Sequence, residues 1–568
     1  MNDIRRTILW VVFGFSMVLL WDQWQIYNGH KATFFPTPAA KTEASPASVP
    51  NAANVPPAAS VPAAQAASAQ QAVPGNAPVA TAAAREFIDV ETDVLKLRLD
   101  SEGGSLLRAE LLKHADVHHA GQPVVLLDES RERVYLAQSG LIPSAGAPAL
   151  PTHKTPMTLT SSERRLADGA KELKLRFEST PVNGVKLVKT FVLRRGAYDI
   201  SVEHEIINQG TVAVSPQLYV QLVRDGNKPE GESSFYSTFT GPAVYTEAKK
   251  YQKVEFSDIE KNKVDIEKQA QEGYVAMVQH YFASAWLLGE GVERENFVRK
   301  VDNNLYAVGM ITPLGEVAPG QSKALENQLY VGPQEEKKLE ALAPGLELLK
   351  DYGWLAMLAK PLYWLLDQLF KVIHNWGWSI MALVLLLKIA FYWLNAKAYS
   401  SMAKMKAINP RIMDMRERLK DNPQQMQMEM MKIYREEKVN PMGGCFPMLI
   451  QIPVFIALYW VLLSSVEMRH APWVGWIVDL SAPDPFFILP IVMTLTTLLQ
   501  TALNPAPPDP MQAKMMWIMP LMFSVMFFFF PAGLVLYWIT NNVLSIVQQW
   551  IINTRMGVPP QFNLPKFK

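Results

Sequence analysis

Residues 378–394 read WSIMALVLLLKIAFYWL, a run in which every residue except Ser379 and Lys388 is apolar or aromatic. Its length suits a membrane-spanning helix, in which a lysine near the middle costs about 2.5–3.5 kcal/mol on insertion scales. One interpretation is that the lysine stem carries its charge to the membrane surface. However, Lys388 lies roughly 13 Å from the basic stretch that begins at Lys397, about twice the reach of its side chain. We therefore favour a polar cavity around Lys388.

The composition is that of a mosaic. The chain has 568 residues and a net charge of +1, and a very apolar C-terminal third balances a polar middle. Near-neutral charge argues against nucleic acid as a partner, because no block is basic enough to bind phosphates generically. The single cysteine, Cys445, excludes an intramolecular disulfide.

Enzyme signatures are missing from the sequence. It has no glycine-rich phosphate loop and no GxSxG nucleophile elbow. The pair His204-Glu205 begins like a zinc-protease motif, but Asn208 stands where the second histidine is needed and the context alternates as in a strand. We predict that the protein is not an enzyme and has no catalytic residue, metal or cofactor.

The N-terminal region is predicted to be an anchor followed by a tether. Arg5 and Arg6 precede the apolar stretch 8–21, which favours an uncleaved signal-anchor helix at 1–28 with a cytoplasmic N-terminus. A cleaved signal peptide is the alternative. Residues 29–86 are rich in alanine and proline, which is typical of a flexible linker.

Residues 87–335 alternate between apolar and polar side chains. Examples are LKLRL at 95–99 and LKLRF at 173–177, and turn signals such as Asn183-Gly184 separate the runs. A period of two is typical of half-buried strands. We predict a large antiparallel β-sandwich on the outer face of the membrane, because it follows an anchor whose N-terminus is inside.

Beyond residue 335 the periodicity becomes helical. Residues 336–375 are too polar to span a membrane and predict an interfacial amphipathic helix; a plain packing helix under the sandwich is the alternative. Five apolar segments then predict membrane spans, which with the first anchor make six: 376–396, 446–466, 486–503, 515–531 and 533–552.

Basic residues set the predicted orientation. The segment 397–440 carries ten lysines and arginines, whereas the loop 467–485 has only Arg469. The first is therefore predicted to be cytoplasmic and the second external, which also places the tail 556–568 in the cytoplasm. The fold class predicted is a polytopic α-helical membrane protein with six transmembrane helices and a large external sandwich.

Polar side chains recur on the predicted spans and should avoid lipid. We predict that they line a wet cavity with Lys388; hydrogen bonding between helices without water is the alternative. The set comprises Gln451, Ser464 and Ser465 in one span, Thr494, Thr496, Thr497 and Gln500 in the next, and Asn541, Asn542, Ser545, Gln548 and Gln549 in the last.

The segment 397–440 predicts a helical hairpin, because Asp421-Asn422-Pro423 resembles a helix end followed by an N-cap. Its arms are rich in methionine, which can accommodate varied apolar partners. The alternative is that the arms simply pack on each other. The candidate contact residues are Met402, Met405, Met426 and Met430.

Three motifs make the chain similar to the YidC/Oxa family of membrane protein insertases, and specifically to its Gram-negative branch. They are KVNPMGGCFPMLIQIPVF at 438–455, DPMQ at 509–512 and FPAGLVLYW at 530–538. The resemblance is strong over about 345–555. It implies a five-helix insertase core at 376–555 that surrounds a hydrophilic groove and includes the cytoplasmic hairpin at 397–440, and a periplasmic β-super-sandwich.

The resemblance also implies a function and a set of partners. A hydrophilic groove would receive the client without nucleotide hydrolysis, with a cation in the place of Lys388 and client contacts at Tyr537 and Trp538. Familiar members have arginine there, and a family polar position one turn earlier is Val384. The implied partners are nascent inner-membrane proteins, the ribosome, the Sec translocon with its accessory subunits, and membrane lipids.

An apolar surface is predicted to guide the client segment beside the groove. This hydrophobic slide comprises Phe455, Leu458, Tyr459, Leu462, Met519, Phe523, Met526 and Phe527. Two alternatives stay open. A solute transporter would also carry a buried lysine, although no internal repeat is visible. A sugar-binding envelope protein would use aromatic residues of the sandwich, such as Tyr236, Phe239 and Trp286.

Overall fold

The computed structural model describes residues 85–557, apart from 118, 120, 230–237, 420–421, 438–445 and 505–509, together with residue 562. The predicted anchor at 1–28, most of the linker at 29–86 and most of the tail at 556–568 lie outside the described residues. Cys445 and Tyr236 also lie outside them. In the helices, the side chains of residues 354, 406, 423, 446–451 and 510–512 are outside the description, so Gln451 is described by its backbone alone.

The predicted large antiparallel β-sandwich is confirmed. Its strands are Phe87–Glu91 (β1), Leu95–Asp100 (β2), Leu106–Ala115 (β3), Pro123–Glu129 (β4), Val134–Ile142 (β5), Met157–Leu159 (β6), Glu172–Ser179 (β7), Val185–Arg194 (β8), Asp199–Asn208 (β9), Gln217–Asp225 (β10), Gly241–Thr246 (β11), Lys250–Lys253 (β12), Gln269–Ala270 (β13), Tyr274–Gln279 (β14), Phe282–Leu288 (β15), Arg294–Asp302 (β16), Leu305–Pro313 (β17) and Ser322–Pro333 (β18).

The strands form two sheets, and their pairing is antiparallel throughout. One sheet has the order β1-β2-β3-β4-β5-β10-β17-β16-β13 and the other β12-β11-β14-β15-β18-β9-β8-β7-β6. The alternation seen in the sequence determines which side chains of a strand face the core. In β7, Leu173, Leu175 and Phe177 are buried, while the residues between them are exposed. Asn183 and Gly184 both have positive φ, 50° and 80°, as the tight hairpin between β7 and β8 requires.

Of the aromatic residues proposed for sugar stacking, the structure describes Phe239 and Trp286, and these two do not form a sugar site. Trp286 is 2% exposed, and its Nε1 donates a hydrogen bond of 3.1 Å to the carbonyl of Gln221. Phe239 packs against the core of the sandwich. A ring buried in the core cannot stack on a sugar from solvent, so the alternative based on Trp286 was wrong.

Among the described residues, the α-helices follow the sandwich, apart from one short helix, Phe256–Glu260 (α1). They are Glu336–Leu342 (α2), Ala356–Ile373 (α3), Trp376–Ala390 (α4), Tyr392–Arg418 (α5), Pro423–Glu436 (α6), Phe446–Ser464 (α7), Ile488–Leu503 (α8), Pro510–Met526 (α9) and Ala532–Arg555 (α10).

The expectation of one helix over 336–375 was wrong. The segment forms α2, short 3-10 turns at Leu346–Leu349 and Gly353–Leu355, and then α3. Gly345 and Gly353 break the helix, with φ of 76° and 63°. At Gly345 a Cβ would lie only 2.4 Å from the ring of Tyr245, so the glycine also permits close packing on the sandwich.

The predicted count of six spans is not confirmed. Within the described ranges, no single helix combines enough length and apolarity to cross a membrane, although α4 and α5 up to Met405 meet that requirement together. These two helices are bent by 69° at Phe391, so the span predicted at 376–396 is not one straight helix. The bend comes just before the sequence turns from apolar to polar at Asn395.

A buried ion pair joins the sandwich to the helices. Lys350 is 2% exposed, and its Nζ lies 3.1 Å from Glu467 Oε2, in the segment after α7. Tyr363 of α3 donates a hydrogen bond of 2.6 Å to the same carboxylate, and its ring lies 3.8 Å from the Lys350 ammonium. This group, the Lys350–Glu467–Tyr363 junction, ties three parts of the chain together.

A candidate polar groove around Lys388

Lys388 lies between α4 and the final helix, α10. Its side chain is only 7% exposed, and its Nζ donates a hydrogen bond of 2.8 Å to Ser545 Oγ. The Ser545 hydroxyl in turn donates to the carbonyl of Asn541 at 2.7 Å, which orients its lone pairs toward the lysine. In the part of the chain that the structure describes, Lys388 forms no ion pair. The site therefore holds a buried positive charge with a single neutral side-chain partner.

A second contact fixes the same pair of helices. Gln548 Nε2 donates a hydrogen bond of 3.1 Å to the carbonyl of Lys388, and Asn395 Nδ2 donates to Gln548 Oε1 at 3.3 Å. Asn395 lies seven residues after Lys388, a spacing that places two residues on one face of a continuous helix, although here the bend at Phe391 lies between them. It was missed in the sequence prediction, although that spacing was available to find it.

An adjacent face of α10 contacts α8. Asn542 Nδ2 donates to Thr497 Oγ1 at 2.8 Å and to Thr496 Oγ1 at 3.3 Å. Gln549 Nε2 donates to Asn504 Oδ1 at 3.2 Å, while its buried Oε1 has no partner among the described residues. The polar stripe on α10 is thus divided between two neighbours.

The structure brings together only part of the predicted polar set. Lys388, Asn541 and Ser545 form one group, and Asn542 with Thr496 and Thr497 forms another. Several remaining hydroxyls bond to backbone carbonyls instead. These are Thr494 to Pro490, Ser464 to Asp351 and Ser465 to Val461. Gln500 is half-buried, and no described hydrogen bond links it to either group.

An aromatic cluster lies near the N-terminal end of α10. Tyr537 is buried and stacks on Phe455 at 5.7 Å, while Trp538 meets Phe455 edge-on at 4.6 Å and Phe527 at 5.0 Å. Tyr537 precedes Ser545 by eight residues, about 12 Å along the helix. At the start of α10, the amides of Ala532 and Gly533 donate to carbonyls of the loop that precedes α8. The cluster therefore lies between the Lys388 group and that loop.

The predicted hydrophobic slide is not one exposed face. Met519 and Phe523 are exposed, at 45% and 52%. Leu458, Leu462 and Phe527 are instead buried in the core of the helical domain, where Phe455, Tyr459 and Met526 pack against it. The prediction was wrong for the three buried residues, because apolarity alone does not distinguish a helix face that packs on its neighbours from one that meets lipid.

The methionine-rich hairpin packs on itself. α5 and α6 share a small core in which Met405, Met426 and Met430 contact buried Ile408 and Ile412. Arg411 also forms ion pairs across the arms with Glu436 and Glu437, at 3.0 and 2.9 Å. This arrangement favours the packing interpretation for those three methionines, whereas Met402 lies outside the shared core.

Comparisons with known proteins cover both parts of the chain. A family model described as the YidC periplasmic domain matches residues 87–365, and one described as 60Kd inner membrane protein matches 368–558. The membrane protein insertase YidC of Cupriavidus necator is 54% identical over 98% of each chain. The insertase of the same name from Janthinobacterium sp. (strain Marseille) is 48% identical over 98% of this chain and 100% of its own.

A solved structure of an active YidC insertase, with its first transmembrane domain resolved, is also similar. It is 18% identical, covers 84% of this chain and 94% of its own, and superposes with a TM-score of 0.36. At that score the superposition adds nothing to the agreement between sequences.

Proposed function

Because the chain belongs to the YidC family of membrane protein insertases, we propose that it inserts its clients by means of the buried charge of Lys388. It is a non-enzymatic insertase of the inner membrane with a periplasmic domain. The observation that carries the proposal is the Lys388 ammonium itself, buried against Ser545 without a carboxylate partner in the described residues.

The charge of Lys388 would act on acidic parts of a client. A buried charge is normally paired, and an unpaired one keeps its attraction for an incoming anion. At an effective dielectric constant of 20, two unit charges 4 Å apart attract by about 4 kcal/mol. An acidic residue in a short client tail would thereby recover part of the cost of leaving water.

The polar groups around the lysine would receive the tail. Ser545, Asn541 and Gln548 offer hydrogen-bonding atoms on the same helix, and a carboxylate could replace Ser545 as the partner of Lys388. The aromatic cluster of Phe455, Tyr537 and Trp538 would limit passage at the other level of α10.

Burial of the apolar client segment in lipid would drive its release. Each square ångström of apolar surface removed from water contributes about 25 cal/mol, so no nucleotide is required. Exposed Met519 and Phe523 on α9 offer a contact for that segment. The exposed methionines of the hairpin, Met428 and Met431, are the better candidates for a first contact.

Topology and partners complete the proposal. The chain would cross the membrane six times with both termini in the cytoplasm, in keeping with the ten basic residues of 397–440. Its partners would be nascent membrane proteins, the ribosome, the Sec translocon and membrane lipids. The solute-transporter and sugar-binding alternatives are not supported by the comparisons.

Replacement of Lys388 tests the proposal. The client is a single-span protein with a short acidic external tail, expressed in cells depleted of the native insertase and supplied with wild type, Lys388→Ala, Lys388→Arg or Lys388→Glu. We expect Arg to support insertion, since it keeps the charge, and Ala and Glu to block it. Protease protection of the tail measures insertion.

Lys514→Ala is the matched control, because it removes an exposed lysine from α9. It should insert the client as wild type does. If all four residues at 388 support equal insertion at equal protein level, the charge has no part in the mechanism and the proposal fails.

A further inference from the structure

A cleft of about 1130 Å³ separates the periplasmic sandwich from the adjoining end of the helical domain. Arg133 and Asp225 line it from the sandwich, while Arg469, Phe487 and Phe529 line it from the helical side. Its volume is slightly above the roughly 300–1,000 Å³ of small-molecule pockets. It lies outside the Lys388 groove and serves no step described above.

Arg469 contributes a positive charge to this cleft that forms no ion pair with a described residue. Its Nη2 donates to the carbonyl of Ala115 at 3.2 Å, but its buried Nε and Nη1 have no hydrogen-bond partner among the described residues. Asp479 and Asp116 act on its charge from a distance without pairing with it. Its guanidinium carbon lies 5.1 Å from the ring centroid of Phe282, and it forms no ion pair within the described ranges. Burial lowers the pKa of Arg469, yet arginine stays charged in proteins.

Arg133 adds a second cation held in place by backbone carbonyls. It donates to the carbonyls of Val125 at 3.0 Å and Leu126 at 2.7 Å, and it forms no ion pair with a described carboxylate. The nearby carboxylates have other partners: Asp128 accepts from Arg108 at 2.5 Å, and Asp225 accepts from the Val134 amide at 2.6 Å.

Among the described residues, the charged side chains of the lining leave a positive excess of one. Its cations are Arg108, Arg133, Arg224, Lys228 and Arg469, and its carboxylates are Asp116, Asp128, Glu132 and Asp225. Arg108 also pairs with Glu110 outside the lining, at 2.8 Å, so the excess alone decides little. Arg133 and Arg469 form no ion pair with a described carboxylate, and buried charges are normally compensated, so these two cations favour an anionic occupant.

The rim of the cleft on the helical side is apolar and aromatic. Phe487 and Phe529 are each 46% exposed, and the ring of Phe487 lies 5.7 Å from that of Phe528. The rim continues into exposed residues of the helices beyond it, such as Ile491 at 49% and Met522 at 64%. A cationic wall therefore stands directly beside a surface suited to hydrocarbon.

We propose that the cleft binds an anionic phospholipid of the outer leaflet, with its phosphate toward Arg133 and Arg469 and its acyl chains over Phe487 and Phe529. A phospholipid carries both an anionic phosphate for the cationic wall and acyl chains for the aromatic rim. A soluble anion would contact the cationic wall alone. Basic pockets beside membrane helices recognise acidic headgroups in the same way. The lipid would fill the gap between the periplasmic and helical domains.

Site-specific photocrosslinking tests this assignment in the full chain. Benzoylphenylalanine replaces Phe529 at the rim or Met522 on the outer surface of α9, and the protein is placed in vesicles of phosphatidylglycerol or of phosphatidylcholine. Mass spectrometry measures the phospholipid adduct. At the Phe529 position, we expect more adduct with phosphatidylglycerol than with phosphatidylcholine. Arg469→Gln and Arg133→Gln should each reduce the phosphatidylglycerol adduct by about tenfold, because each removes a charged hydrogen-bond donor.

Arg195→Gln is the matched control for Arg133→Gln. Arg195 also donates to two carbonyls, those of Ala170 and Ala167 at 2.9 and 2.8 Å, but it lies outside the cleft. It should leave the Phe529 adduct unchanged, and the Met522 adduct should not respond to any of these variants.

Three outcomes would overturn the assignment. The first is equal capture of the two lipids at Phe529. The second is an adduct that neither Arg469→Gln nor Arg133→Gln reduces. The third is a reduction of the adduct by Arg195→Gln as large as that by Arg133→Gln. Competition by inorganic phosphate alone would assign the cations to free phosphate and exclude the lipid. Insertion activity does not enter this measurement, so its result is independent of the proposed function.

Discussion

The Lys388 ammonium lies 2.8 Å from the hydroxyl oxygen of Ser545, which is its hydrogen-bond acceptor across two helices. The same hydroxyl is committed as a donor to Asn541. Ser545 therefore holds the charge at one level of the helical domain without neutralising it, and it is the partner that an acidic client group would replace.

Removal of the Ser545 hydroxyl should weaken insertion of clients with acidic tails. Ser545→Ala deletes the hydrogen bond that holds the charged Lys388 ammonium in place, so we expect a loss of about 10- to 150-fold, corresponding to about 1.5–3 kcal/mol. Ser545→Thr keeps the hydroxyl and should retain activity. Ser524→Ala removes another buried hydroxyl, bonded within its own helix, and should have little effect. Equal losses in Ser545→Ala and Ser524→Ala would contradict this role.

The contact between Asn542 and Thr497 should stabilise the packing of α8 on α10. A double-mutant cycle with Asn542→Ala and Thr497→Val is expected to give a coupling of about 0.6 kcal/mol, the average for hydrogen bonds between membrane helices. Unfolding in detergent measures it. Thr501 bonds to a carbonyl of its own helix, so Thr501→Val should not couple to Asn542→Ala. A cycle without coupling at Thr497 would show that the 2.8 Å contact contributes nothing.

The Lys350–Glu467–Tyr363 junction should fix the sandwich on the helices. Lys350→Met leaves Glu467 without its cation and is expected to cost about 3–5 kcal/mol, whereas the double change with Glu467→Gln should cost less. Hydrogen exchange of residues 345–355 in the full chain reports the loosening. The more exposed pair of Lys360 and Glu347 is the control, and Lys360→Met should cost at most about 1 kcal/mol. If the double change is as harmful as Lys350→Met, the buried charge is not the cause.

The sandwich should lose stability on acidification. Burial lowers the pKa of His204 to about 3 and that of His280 to about 4, so the folded state disfavours their protonation. The stability is complete above the unfolded pKa of about 6.5 and is lost as the pH falls toward 4, by up to about 1.4 kcal/mol per pH unit for each histidine. Thermal unfolding of the full chain between pH 7.5 and 4.5 measures this slope.

A matched pair of variants distinguishes the effect of a buried histidine from the effect of acidification on the rest of the protein. His204→Gln should flatten the slope, while His119→Gln, at an exposed residue, should leave it unchanged. A melting temperature that is constant or rises on acidification would contradict the expectation.

Much of the fold follows from local periodicity. Alternation of period two predicted the sandwich because each strand has one buried face, and the strand starting at Glu172 shows it directly. The break of the helix at Gly345 and Gly353 was missed, since a glycine in an amphipathic pattern does not show that its φ must be positive. The bend at Phe391 was missed because no proline or glycine marks it.

The sequence predicted which types of residue form the site, but not which of these residues contact each other. A polar stripe on the last helix was evident, yet the sequence could not show that Ser545 meets Lys388 while Asn542 meets Thr497. That division depends on which helices pack on either side of α10. The burial of Leu458 and Phe527 escaped prediction for the same reason.

The most direct test of the central claim is a charge exchange between client and insertase. Clients whose short external tails differ only in two aspartates or two lysines are expressed with wild type or Lys388→Glu, and protease protection gives the inserted fraction of each. We predict that wild type inserts the acidic tail better and that Lys388→Glu reverses this preference, because attraction between opposite charges is the basis of the proposed mechanism. A Lys388→Glu defect of equal size for both tails would contradict the account.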